Sequence, residues 1–100
     1  MSRVVVFGNA SLDIILGLDA FPKPGETVLA REAMTCAGGK GLNQAIAAAR
    51  AGADVRLVAA LGHDPANAEI RETLAGETGL ASTLLPRDMA SDLSTIWLDG

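Results

Sequence analysis

Residues 37–52 read AGGKGLNQAIAAARAG, and this stretch decides how the rest of the chain is parsed. Leu42, Ala45, Ile46 and Ala49 fall at i, i+3, i+4 and i+7, the spacing of one apolar helix face. Arg50 sits in the last turn, where a cation suits the helix dipole, and Gly52 follows as the natural C-terminal cap. Ala37-Gly38-Gly39-Lys40-Gly41 in front of the helix breaks the preceding pattern. Glycines there let the backbone approach a ligand and adopt positive φ.

Working outward, the run Val4-Val5-Val6-Phe7 is β-branched and continuous, ending at Gly8. It predicts a strand buried on both faces, as in a parallel sheet. Asp13 to Leu18 predicts a second, more exposed strand, and Phe21-Pro22-Lys23-Pro24-Gly25 a turn. Glu26 to Cys36 reads as one or two half-exposed strands. Beyond the helix, Val55 to Leu61 is a buried strand. Asp64 and Pro65 supply the N-cap and first position of a second helix, with Ala66, Ile70, Thr73 and Leu74 facing inward and Gly79 at its end. Leu80 to Leu85 and Leu93 to Leu98 complete the strands. Alternating strands and helices predict an α/β fold with a parallel central sheet, flanking helices and right-handed crossovers. The strand-rich insertion before the first helix is too long for a simple connection. The chain ends directly after a strand, so the 100 residues are expected to be an incomplete N-terminal portion of a larger domain.

Composition excludes several classes. The net charge is −4 without a basic patch, so nothing supports nucleic-acid binding. The N-terminal apolar run is too short for a signal peptide or a membrane span, which predicts a soluble cytoplasmic protein with no membrane partner. The single cysteine, Cys36, rules out an internal disulfide and reads as a small apolar residue; no metal-ligand spacing surrounds it. His63 reads as a surface or structural residue and Trp97 as packing.

Two segments carry candidate chemistry. The loop Gly38 to Gly41 opens a helix whose first amides are donors for hydroxyl or anionic oxygens. It is not a Walker A loop, because Met34 and Gly41 stand where glycine and Ser/Thr are required. It is not the dinucleotide fingerprint either, because Gln44 stands where the third glycine belongs. The second segment, Gly8-Asn9-Ala10-Ser11-Leu12-Asp13, lies past the carboxyl end of the first strand, where open α/β sheets bind ligands. A carboxylate there can accept two hydroxyl hydrogen bonds at once. In isolation each segment reads equally well as a plain turn: a flexible lead into a helix, and a solvated aspartate.

Together, Gly8 to Asp13, Phe21 to Thr27, Gly38 to Ala45 and Gly62-His63-Asp64 resemble, in order and spacing, ribokinase-type kinases of the PfkB family. The resemblance implies a ribokinase-like fold and transfer of the ATP γ-phosphoryl group to a sugar or nucleoside hydroxyl. It implies that Ser11, Asp13, Gly39, Lys40, Gly41 and Asn43 make up the substrate site. It also implies a β lid built from segments near 13–36 and 92–99, through which two copies pair as a homodimer. An exposed lid edge left unpaired would invite aggregation. ATP and Mg2+, with a monovalent cation, are the implied cofactors. The family's second signature, Asp-Thr-x-Gly-Ala-Gly-Asp, carries the base and is not among these residues, so the 100 residues alone are expected to be inactive. Ribokinases proper usually carry asparagine where Ser11 stands, which leaves the sugar open. Two alternatives remain at this point: a non-catalytic sugar-binding or regulatory module, and a nucleotide-binding α/β domain that uses Gly38 to Gly41.

Overall fold

The computed structural model describes residues 2–100. The elements are β1 (Arg3–Phe7), β2 (Ser11–Leu18), β3 (Glu32–Gly38), α1 (Lys40–Arg50), β4 (Asp54–Leu61), α2 (Pro65–Ala75), β5 (Leu80–Pro86) and β6 (Asp92–Asp99). They form two three-stranded sheets. One has the order β1-β4-β5 and is parallel throughout; the other has the order β3-β2-β6, with β3 antiparallel and β6 parallel to β2.

In the first sheet β4 is central. Its alternate residues Val55, Leu57, Ala59 and Leu61 are all buried and meet Leu42, Ala45 and Ala49 of α1 and Ile70 and Leu74 of α2 in one core. Both helices therefore cover the same face. The strand order explains this: β1-β4-β5 advances in one direction, and right-handed crossovers that advance the same way lie on the same side. Consequently β1 is not buried on both faces as its continuous apolar run suggested. Val5 and Phe7 are 59% and 81% exposed on the side the helices leave open.

The helix termini follow their local chemistry. Past α1, Gly52 adopts φ 100°, and the Gly52 and Ala53 amides return to the Ala49 and Ala48 carbonyls. At α2, the Asp64 side chain accepts from the Asn67 amide with Pro65 in the first helical position. This helix ends at Ala75 rather than at Gly79, because the Gly76 and Glu77 amides already close on Glu72 and Leu74. Gly79 instead supplies a positive φ for the turn into β5. Arg50 ends α1 with a two-pronged ion pair to Glu77, at 2.9 and 2.8 Å, which holds the Glu77 carboxyl below its ordinary range.

The insertion contains one strand after its turn, not two. Residues 26–31 are irregular, and β3 runs from Glu32 through Ala37 to Gly38, past the point where glycine was expected to break it. Gly38 stays in the ladder because it pairs with Ser11. Trp97 packs against Phe21, ring centroids 6.5 Å apart. No helix among the described residues is long and apolar enough to cross a membrane.

Candidate functional site

The site candidates gather where the two sheets meet the start of α1. β1 ends at Phe7, and the chain crosses Gly8, Asn9 and Ala10 before entering β2 at Ser11. β3 brings Gly38 alongside Ser11, and α1 begins two residues later. Segments thirty residues apart in sequence are thereby held side by side.

Asn9 makes the joint. Its Oδ1 accepts from the Gly41 amide at 3.2 Å, and its carbonyl accepts from the Leu42 amide at 3.0 Å. Two of the amides that α1 leaves unpaired at its N-terminus are thus satisfied by a residue outside the helix. The approach is close enough to demand glycine. A Cβ on Gly41 would stand 2.6 Å from the Asn9 amide nitrogen and 2.8 Å from the Gly8 Cα. Gly39 caps the helix at φ 97°, a backbone region that other residues rarely enter. Sequence reasoning passed over Asn9. Its only local signal was a cap-type side chain just past a strand, and its partner lies 32 positions away.

Asp13 is half-buried in β2. Ser11, 3% exposed, donates its hydroxyl to Asp13 Oδ1 at 3.4 Å. The other carboxylate oxygen lies over Gly38, where a Cβ would collide with Oδ2. The glycine run therefore has two separate jobs. Gly38 makes room for the carboxylate, while Gly39 and Gly41 let the helix start against Asn9. Lys40 and Asn43 occupy the first turn of α1 and are exposed; among the described residues neither bonds to Asp13. Ser11, Asp13, Gly39 and Gly41 are thus brought into one neighbourhood, with Lys40 and Asn43 free at its edge.

Next to this joint, a cavity of about 150 Å³ opens at the carboxyl ends of β1, β4 and β5. Gly8, Asn9, Gly62, Arg87, Ser91 and Asp92 line it. This is where an open α/β sheet offers a ligand its crevice. Among the described residues no group of three or more His, Cys, Asp or Glu side chains is gathered closely enough to hold a metal ion.

Known proteins resemble this chain in sequence and in fold. The model of the pfkB family carbohydrate kinases matches residues 1–88. The ribokinase of Bacillus subtilis is 48% identical over 64 residues, covering 64% of this chain and 22% of that protein. The solved ribokinase of Thermotoga maritima superposes with a TM-score of 0.84 at 29% identity, over 99% of this chain and 33% of that one. The Arabidopsis thaliana ribokinase complexed with ribose and ATP gives 0.77 at 31% identity, over 98% and 33%. The chain spans about a fifth of the length of the first of these relatives and a third of the solved structures. A chain with this fold and this family match belongs to the pfkB family of carbohydrate kinases.

Proposed function

We propose that this chain forms the acceptor-binding part of an ATP-dependent sugar kinase. The observation that carries the reading is the juxtaposition of Asp13, steadied by Ser11, with the glycine-lined start of α1. Asp13 would accept hydrogen bonds from sugar hydroxyls, and Asn43, Lys40 and the backbone at Gly39 and Gly41 would complete the grip. The sheet β3-β2-β6 would act as the lid, excluding water that otherwise competes as phosphoryl acceptor. In the transfer, a sugar oxygen bonds to the γ-phosphorus as the bond to the ADP oxygen breaks. The group that takes the hydroxyl proton is not assigned to any residue of this chain. ATP is supported by the relatives solved with ADP or ATP. No step is assigned to Mg2+ or a monovalent cation here.

The exposed Met34, Ile96 and Leu98 of the lid give a second copy an apolar surface to cover, so the reading includes a homodimer. The absence of any cysteine besides Cys36 fits work in the cytoplasm. Against the nucleotide-loop alternative stands Asn9, which already occupies two of the amides a phosphate would need.

The test is sugar binding and sugar-dependent ADP release by the protein as its host makes it. Asp13→Ala should weaken sugar affinity ten- to a hundredfold, the worth of a charge-assisted hydrogen bond of roughly 1.5–3 kcal/mol. Nucleotide binding that survives Asp13→Ala and fails when Gly39 is made bulky, with no sugar dependence, would overturn the reading.

A further inference from the structure

Helix α2 holds the sheet β3-β2-β6 at two places, and the two contacts are built differently. The first is at the helix N-cap. Ser91, the residue before β6, is buried; its amide donates to Asp64 Oδ2 at 2.7 Å and its hydroxyl to Asp64 Oδ1 at 2.9 Å. The Gly62 amide donates to that hydroxyl at 3.1 Å, and the Asn67 side chain donates to the Gly62 carbonyl at 2.6 Å. The loop lies so flat on Gly62 that a Cβ there would collide with the Met89 carbonyl oxygen. Both Asp64 oxygens and the Ser91 hydroxyl are partnered, so this joint is fixed.

The second contact lies midway along α2. Thr35 of β3 donates its hydroxyl to Glu69 Oε1 at 2.7 Å. Glu69 Oε2 is buried without a hydrogen-bond partner, and among the described residues no ion pair neutralises this carboxylate. Glu72, one turn on, lines the same cleft of about 430 Å³ between β3 and α2. A buried carboxylate oxygen without a donor costs free energy that solvation returns, so this contact parts easily. The register shows which way the sheet leans. Ile14 lies opposite Thr35, and Asp13 lies opposite Cys36. Opposite residues share a face, and successive residues alternate. The Thr35 face therefore rests on α2, while the other face carries Asp13 with the Ser11 hydroxyl upon it. Motion of the sheet toward a ligand on the Asp13 side draws Thr35 away from Glu69.

Resting on the reading of this sheet as the lid of a sugar kinase, we infer that Asp64 and Ser91 form its fixed pivot and that the Thr35–Glu69 hydrogen bond is a latch that holds the lid back and parts as it closes. The apparent affinity of a ligand scales with the fraction of protein in the binding-competent state. The latch lowers that fraction and so opposes acceptor binding. The pivot fixes the start of β6 and so supports it. All four are positioning residues and act through the lid.

The experiment is calorimetric binding of ribose, fructose, glucose and adenosine to the protein as its host makes it, with ADP release measured in parallel. Thr35 is exposed, so Thr35→Val leaves the fold intact. It should raise the affinity of whichever probe binds by about two- to tenfold, the net worth of one hydrogen bond, and KM should fall likewise. Glu69→Ala should do the same, and Thr35→Ser should match wild type. The double variant Thr35→Val, Glu69→Ala should gain no more than either single one, because the two residues make one contact. Ser91→Ala should act in the opposite direction. Latch variants that bind no more tightly than wild type, or gains that add, would overturn the inference and leave the kinase standing if ADP is still released. Raised affinity without ADP release would uphold the latch and sink the kinase activity. A wild type that binds none of the four probes and releases no ADP would remove both.

Discussion

The two sheets of this molecule have the same number of strands, yet they are held in different ways. The sheet β1-β4-β5 lays β4 against two helices, and the buried core belongs to it almost entirely. The sheet β3-β2-β6 rests β2 and β3 against α2 but contributes no fully buried residue to that core. β6 is exposed along its whole length, Trp97 and Leu98 included. One sheet is held mainly by burial; the other is held by backbone pairing to β2, by the contact of β2 and β3 with α2 and by a polar clamp at its base. That difference would suit the proposed lid, since moving elements come from the low-stability end of a fold.

Mutations can test that contrast. The largest effect should come from Leu57→Ala, which empties a fully buried position in β4 and should cost ~2–5 kcal/mol in denaturant unfolding. Gly41→Ala comes next. The new methyl meets backbone at Asn9 and Gly8, so the substitution should cost ~1–3 kcal/mol despite alanine's better helix propensity, and sugar affinity should fall with it. Asp64→Asn probes the clamp through pH. The Ser91 amide and hydroxyl hold the Asp64 carboxyl below its ordinary range. A depressed carboxyl contributes stability above its unfolded pKa of about 3.9, and that contribution is lost as pH falls through the lower folded value. Thermal unfolding should therefore show wild type more stable at neutral pH, with the two proteins converging below about pH 4; parallel curves would remove the clamp from the account. The smallest effect should be Leu98→Ser, within about 0.5 kcal/mol for a monomer. If Leu98→Ser cost as much as Leu57→Ala, the two sheets would not differ as described, and the lid face would be buried against a second copy.

Much of this was legible in the chain. The spacing of Leu42, Ala45 and Ala49 marked α1, and Asp64-Pro65 marked the start of α2, because caps and helix faces are written in residues a few positions apart. Errors arose where distant segments decide. Continuous apolarity at Val4 to Phe7 could not tell one covered face from two, since that depends on which side the crossovers take. Gly38 looked like a strand breaker until Ser11 and Asp13 were beside it. Gly79 looked like a helix end because nothing local reveals that Gly76 and Glu77 close the helix three residues earlier.

The site divides the same way. Asp13 and Gly38 to Gly41 read equally well as plain turns in isolation, and only the family resemblance carried by their order and spacing implied a substrate-binding loop. Asn9 and Ser91 did not stand out, because each acts through a partner at least 27 positions away. The sequence by itself determined the helices, the turns and the family, because these rest on short-range periodicity and on residue types at close spacing. Only the tertiary structure decided which face stays open and which glycine gives way to which side chain, because those depend on register between strands that the chain brings together last.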